Sequence, residues 1–483
     1  MSQIRDLEPK LMWELFDEIT RVPRPSKREE KIVAYLVDFA VKNNLAYRRD
    51  AIGNVVICRP AAKGYEHLPV VVLQSHVDMV CEKNSGVEHD FDNDPIDAYV
   101  DNGWVKARGT TLGADCGIGM AAAMAVLTDP AIECGAVEAL FTVDEETGLT
   151  GAFNLEEGMI SGKYLINLDS EDEGEIFIGC AGGVDTLASY ALQCVDADTT
   201  QSYYRIEVSG LKGGHSGDDI DKGRANSIKL LANLLYDLQS KYDISLHKIE
   251  GGNLRNAIPR EAYAVIGVDS AKCDELESAI AQYTSEVKGV YAVTEDSLSI
   301  VCKPCEMPEK LLECTLQTSL LRALIGLPNG VLAMSQTMPG LVETSSNLAS
   351  VKFVDDTIVV TTSQRSSVER SKRDAAHSIE AVFVATGGDV LHSDGYPGWT
   401  PNPDSQLLEL TKESYVELFG CEAKVRAIHA GLECGLFLQR YPSLEMVSFG
   451  PTLRGVHSPD ERIEIESVAK FWKLLLHLLK RLK

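Results

Sequence analysis

Four apolar runs in this chain each lead into side chains that hold cations or move protons. Val70-Val-Val-Leu73 leads to His76 and Asp78, and Leu140-Phe-Thr-Val143 to Asp144, Glu145 and Glu146. Leu165-Ile-Asn-Leu168 leads to Asp169, and Met446-Val-Ser-Phe449, through Gly-Pro-Thr-Leu-Arg-Gly-Val, to His457. Short apolar runs of this kind read as buried strands. In an open α/β sheet, ligands bind beyond the carboxyl ends of the strands, so parallel strands would bring the four clusters to one edge. Carboxylates crowded there repel one another and take up protons. A divalent cation reverses that balance, and mixed His/carboxylate ligation suits zinc, cobalt or manganese. Any one cluster alone reads as a solvated loop, and His457 alone as a hydrogen-bonded surface residue. The repetition after four runs carries the metal reading.

A fifth element, Gly113-Ala-Asp115-Cys-Gly117-Ile-Gly119, opens the apolar stretch Met120 to Leu127. It superficially fits a dinucleotide fingerprint, but the preceding Lys106-Ala-Arg-Gly-Thr-Thr is not a buried strand, which the fingerprint needs. A carboxylate at the start of a Gly-rich helix is better placed as a ligand that two ions share.

These residues need a scaffold, and 483 residues are too many for one ordinary core, so two domains are expected. Residues 1–189 alternate short apolar runs with helix-like stretches, the texture of an α/β sheet flanked by helices. Strands are expected at Pro69–Leu73, Ala139–Val143 and Tyr164–Leu168, preceded by two N-terminal helices. Ser26 followed by Glu29 reads as a capping box for the second, whose Ile32, Tyr35, Leu36 and Phe39 recur at helical spacing. Residues 190–395 read instead as an inserted α+β domain, with half-exposed strands at Tyr204–Val208 and Thr357–Thr361 and a helix at Asn226–Gln239. The first texture returns over 396–483, with a strand at Leu444–Phe449 and a helix at Ser467–Leu479.

Forty-six basic against 72 acidic side chains give a formal charge of −26, which disfavours nucleic-acid and anionic-membrane partners. The N-terminus has no signal-peptide pattern, and no apolar run reaches the length that spans a bilayer. With twelve scattered cysteines, a cytoplasmic location is expected, most cysteines packing as small hydrophobes. The Cys302-Lys-Pro-Cys305 pair stands alone and reads as structural.

Together, Ser75-His76-Val77-Asp78, Gly113-Ala-Asp115, Asp144-Glu145-Glu146-Thr-Gly148, Asn167-Leu-Asp169 and His457 resemble a known family, the co-catalytic zinc peptidases that include aminoacylases, carboxypeptidases and bacterial dipeptidases. Gly213-Gly-His215-Ser-Gly217 and His429-Ala-Gly-Leu-Glu433 extend the likeness over essentially the whole chain, and within the family it is strongest to the aminoacyl-histidine dipeptidases. The resemblance implies a mostly parallel catalytic domain interrupted by a lid, and two divalent ions, zinc by preference. His76 and Asp169 would hold one ion, Glu146 and His457 the other, and Asp115 would bridge them. Asp78 would orient His76, and Glu145 would be the general base for the metal-bridged water.

In the lid, the resemblance makes His215 the stabiliser of the tetrahedral oxyanion and Asn256 a substrate contact. Arg365 suits the substrate's C-terminal carboxylate, since guanidinium binds carboxylate bidentately, although a solvated strand residue would look the same. Asn347 is a lid candidate without a role, and His429 and Glu433 are candidate site walls. His67, His89, His247, His377, His392 and His477 have no supporting context and read as structural or surface residues. The expected reaction is hydrolysis of dipeptides, Xaa-His dipeptides such as carnosine in particular, by a homodimer joined through the lid, with hinges near 187–192 and 393–400. A broader dipeptidase, carboxypeptidase or aminoacylase would share these motifs. A non-catalytic metal- or peptide-binding scaffold would have no need of Glu145, and a phosphoesterase would need a phosphate cradle that is not evident.

Overall fold

The apolar runs are strands of one sheet in the computed structural model, which describes residues 3–482. The sheet has eight strands in the order Ala46–Arg49, Val55–Arg59, Val137–Thr142, Val71–His76, Tyr164–Asn167, Glu445–Ser448, Glu175–Cys180 and Lys424–Ile428. Its central four are mutually parallel: Val71–His76 pairs with Val137–Thr142 and with Tyr164–Asn167, which pairs with Glu445–Ser448. Antiparallel strands flank this centre. Residues Val71–His76 and Val137–Thr142 are buried throughout, as strands covered on two faces must be.

The Ala-rich helix Ala114–Thr128 is apolar all round and buried over nearly its whole length, so it packs as a core helix between strand Val71–His76 and helix Lys10–Ile19. The closing helix Ile465–Arg481 is amphipathic instead, burying Val468, Phe471, Leu475 and Leu478.

The chain divides into two compact units. One runs to Gly179 and resumes over Pro401–Ala427 and Leu432–Lys483; the other comprises Cys180–Thr400 and Ile428–Gly431. Residues 187–191, expected at a hinge, lie within the strand Gly182–Ala191. That strand is hydrogen-bonded on one side to Thr357–Ser366 and on the other to Asp389–His392. Paired on both edges, it belongs wholly to the second unit, and the chain changes unit at 179/180.

The second unit is built on an antiparallel nine-stranded sheet, including Gln201–Ser209, Ser245–Gly251, Ala262–Asp269, Val342–Val354 and Thr357–Ser366. Its core joins Ile206, Ile249, Ile266, Val351 and Val360 of the sheet to Leu231 and Leu235 of helix Ser227–Tyr242 and Leu321 of helix Cys314–Gly326. Cys302 faces this core, and burial pushes its thiol up to about 12. All twelve cysteines are free. No helix among the described residues is long and apolar enough to cross a membrane.

Candidate active site

The central parallel strands end at the same edge, where His76 closes its strand, Glu146, Asp169 and His457 follow theirs, and Asp115 comes from the start of helix Ala114–Thr128. Asp115 is the pivot. Its Oδ1 lies 3.0 Å from His76 Nε2, which is also 3.3 Å from Asp169 Oδ1. Its Oδ2 lies 3.3 Å from His457 Nε2, itself 3.0 Å from Glu146 Oε2. One carboxylate thus faces two separate His/carboxylate pairs. Two ligands about 2.05 Å from a tetrahedral zinc are about 3.3 Å apart, so the spacing of each set fits a cation. Glu146 Oε1 and Asp169 Oδ1 are buried without a hydrogen-bond partner, as donor-poor metal ligands would be. Glu145 joins the group with His76 and Glu146, their ligand atoms all within 4.8 Å of one another.

Beneath this layer the first unit is heavily cross-braced. Asp78 Oδ1 lies 3.4 Å from His76 Nδ1, while its carboxylate accepts from the Glu145 and Glu146 amides at 3.0 and 3.2 Å and from Ser26 Oγ at 2.7 Å. A single buried carboxylate therefore orients the His76 ring and fixes the backbone of the Glu145–Glu146 turn. The capping box expected at Ser26 and Glu29 does not form. The helix starts at Glu30, Ser26 bonds Asp78, and Glu29 accepts from the amides of Lys27 and Asp144. Both side chains are drawn into holding the site.

The Asp115 turn is gripped from two sides. Glu461 accepts the backbone N–H groups of Leu112, Gly113, Ala114 and Asp115 at 2.7, 3.0, 2.8 and 3.3 Å. Arg24, 1% exposed, donates to the carbonyls of Val77, Asp78 and Gly113. Gly113 has φ +68°, and a Cβ there would lie 2.5 Å from the Arg24 guanidinium, so the turn needs glycine on both counts.

A second polar row crosses under the strands, one layer below the ligands. Gln74 donates to Glu433 and Thr142 at 2.6 and 3.2 Å and accepts from Asn167 at 2.5 Å. Asn167 accepts in turn from Ser448. Gln74 and Asn167 each stand two residues before a candidate ligand, so this row ties together the strands that deliver His76 and Asp169.

Electrostatics follow from crowding acids in a buried space. Burial raises Asp169 to about 6, assisted by Asp115 and opposed by His76. Burial would raise Asp115 too, but hydrogen bonds from His457 and His76 hold it below the usual carboxylate range. Burial lowers the affinity of His76 for a proton, yet Asp169, Asp115 and Asp78 together hold it raised. His457 is pushed up to about 11 by Asp115 and Glu146. Glu145 is raised by burial and by Asp169, Glu433 and Glu146, while burial brings Glu171 and Glu433 each to about 8. Protons here stand where cations fit.

The second unit gathers its own candidates. The ribbon Gly214–His215 pairs with Ala257–Ile258, setting His215 opposite Ala257 and beside Asn256. His215 Nδ1 accepts from the Gly217 and Asp218 amides at 3.3 and 3.2 Å, which leaves the proton on Nε2. Asn347 donates to the carbonyl of Ala257 at 2.8 Å and keeps its Oδ1 buried and unpartnered. Asn256 and Arg365 line one cleft of about 170 Å³ with Asp185, Arg255 and Tyr396. Arg365 is buried rather than a solvated strand residue. His429 bonds Ser345 Oγ at 2.7 Å, and burial with Arg365 lowers it to about 4, so it is neutral. Among the histidines given no role, His392 bonds Thr186, and His89 meets the Phe91 ring edge to face.

Residues 72–481 match the pattern of peptidase family M20/M25/M40. The chain belongs to this family. It is 41% identical over 482 residues to the cytosol non-specific dipeptidase of Escherichia coli K12, covering 100% of this chain and 99% of that one. The solved structure of an aminoacylhistidine dipeptidase from Vibrio alginolyticus superposes with a TM-score of 0.94 at 39% identity, covering 100% of this chain and 98% of that one. An aminopeptidase from Bacillus cereus shares the fold, with a TM-score of 0.57 at 17% identity over 98% of each chain.

Several residues that hold this peptidase's site together were not singled out in the sequence. Glu461 follows His457 by four residues and Arg24 sits between Pro23 and Pro25, but neither spacing indicates that both grip the Asp115 turn. Tyr396 carries no motif. Glu433, expected as a wall, is instead the buried end of the polar row.

Proposed function

We propose that this peptidase hydrolyses dipeptides with two divalent cations, zinc by preference, held by His76 and Asp169 on one side, Glu146 and His457 on the other, and Asp115 between. The observation that carries the reading is Asp115, whose two oxygens each meet a different His/carboxylate pair. Bound there, a cation pair supplies Lewis-acid polarisation of the scissile carbonyl and lowers the pKa of water. Asp78 fixes the His76 ring so that Nε2 faces the cation side. Glu145 stands beside the ligands, placed to take the proton of the attacking water and return it to the leaving amine.

The second unit supplies the remainder as a lid. His215 presents Nε2–H to the oxyanion, because its Nδ1 is already turned toward backbone amides. Asn256 contacts the substrate, and Arg365 takes its terminal carboxylate. The names of the Escherichia coli and Vibrio alginolyticus relatives support dipeptide substrates, Xaa-His dipeptides among them, and the former supports a cytosolic setting. A homodimer through the lid is supported by the exposed Val331, Leu332 and Met334 of strand Gly330–Met334.

Assay of β-Ala-His, Gly-His, Gly-Leu and an N-acetyl amino acid, with metal counted per chain, tests the proposal. Two ions and turnover of the dipeptides are expected. Turnover of the N-acetyl amino acid alone would move the activity to the acylase side.

A further inference from the structure

The cleft that holds Arg365 contains a second hydrogen-bond donor. Arg365 lies opposite Gly183 on the neighbouring strand, and Gly183 is bonded in both directions to the backbone of Tyr396, at 3.0 and 2.8 Å. A Cβ at Gly183 would lie 2.7 Å from the Tyr396 ring, and one at Gly431 would lie 3.0 Å from it. Two glycines thus clear a slot for the ring and leave its hydroxyl beside the guanidinium. There Arg365 Nη1 donates to Tyr396 Oη at 2.9 Å. With one lone pair occupied by a cationic donor, the hydroxyl's own hydrogen has no acceptor among the described residues; burial holds the phenol above its ordinary pKa, against the pull of Arg365, so it stays protonated as a donor.

The cleft's charge points to its ligand. Asp185 is taken by Arg255 at 3.1 Å, so it does not neutralise Arg365. Arg365 is 8% exposed, makes no ion pair among the described residues, and has its Nε buried without a partner. A buried guanidinium left this way is costly unless an anion completes it. Nearby His429 is neutral and adds no charge. A planar anion with two acceptor oxygens satisfies Arg365 and the hydroxyl together.

We infer that Tyr396 is a specificity-determining residue: its hydroxyl, polarised by Arg365, donates to the free carboxylate of the substrate's C-terminal residue. This rests on the dipeptidase reading and deepens it, because a seat of this kind separates free C-termini from amides or longer chains. A neutral amide offers one acceptor oxygen and turns an N–H toward donors that cannot receive it.

The experiment compares wild type with Tyr396→Phe on a dipeptide and its C-terminal amide. Losing a hydrogen bond to a charged group corresponds to about 10- to 100-fold in affinity. KM for the free dipeptide should rise by that factor with kcat nearly unchanged, while the constants for the amide stay as they were. Gly183→Ala, which crowds the same ring, should move KM in the same direction. An equal effect on acid and amide, or none on either, overturns the proposal. Equilibrium binding of N-acetylleucine against N-acetylleucinamide reads the seat without turnover. A preference for the acid that Tyr396→Phe lowers by about 10- to 100-fold supports the seat even where wild type cleaves no dipeptide, and its absence in wild type rejects it.

Discussion

The two units leave different kinds of atom open among their functional side chains. In the first, His76 and Asp115 stand on buried polar groups that are themselves bonded, Asp78 under His76 and Glu461 and Arg24 around Asp115, while Glu146 Oε1 and Asp169 Oδ1, both on candidate cation ligands, are buried without partners. In the second, the candidates Asn347, Arg365 and His429 each keep a buried atom without a partner. A native structure leaves such groups open where a ligand completes them. The difference lies in what the open atoms suit: carboxylate oxygens for cations in the first unit, and amide, guanidinium and imidazole atoms for an organic ligand in the second. Variants of the first unit's ligands and their supports should therefore change metal content, and variants of the second should change substrate constants at full metal occupancy.

Asp115→Asn should have the largest effect, because both His/carboxylate pairs lose the shared anion. Bound metal should fall below two per chain and turnover to background. Two tightly held ions in that variant would break the comparison at its centre. Glu145→Gln comes next. It removes proton transfer while leaving the five ligands, so turnover should drop roughly 10²–10⁴-fold at unchanged metal content. Near-normal turnover would assign the base elsewhere.

His215→Ala tests the second unit directly. Removing one oxyanion donor lowers kcat about 10²–10³-fold, and metal content should stay at the wild-type value. Lost metal in this variant would place His215 among the ligands and erase the division between the units. Glu461→Gln is milder and belongs to the first unit. The amide keeps only one acceptor oxygen for four backbone N–H groups, so the Asp115 turn loosens. Supporting groups of this kind are worth about 10–100-fold in metal affinity, readable by competition with a chelator. An unchanged affinity would make the Glu461 grip a matter of folding alone.

The chemistry was more legible in the sequence than its support. His76, Glu146, Asp169 and His457 could be noticed because they follow apolar runs whose parallel register brings their ends to one edge, whereas Asp115 stands out at the start of a Gly-rich helix and the ligand set itself comes from the family resemblance. Chain-local signals failed where a side chain is used at long range. Ser26 and Glu29 have capping-box spacing, but Asp78 and the Asp144 amide compete successfully for them. Glu461 bonds residues nearly 350 positions earlier, and Gln74 bonds Glu433 across 359. Tyr396 gains its role from the absence of side chains at Gly183 and Gly431. Periodicity and spacing carry none of these relations, because each is set by tertiary contact.

Glu433 supplies the smallest effect and separates stability from function within the first unit. Burial lifts its carboxyl from an ordinary 4.5 to about 8, with Asp169 adding to the rise and the hydrogen bonds from Thr142 and Gln74 opposing it. Between those values the folded metal-free chain holds a proton that the unfolded chain has released. The unfolded state then binds fewer protons, so stability is whole below about pH 4.5 and falls as pH rises toward 8. Glu433→Gln keeps an oxygen for the same two donors and removes the titration. In chelator, the variant should melt at least about 4 °C above wild type at pH 8, a shift of the size that roughly 1–2 kcal/mol produces in a domain this large. The two should converge toward pH 4.5. Loaded with metal, wild type should lose much of this penalty, since nearby cations favour the carboxylate. A gap that persists unchanged from pH 4.5 to 8 would mean that Glu433 acts by packing and not by charge.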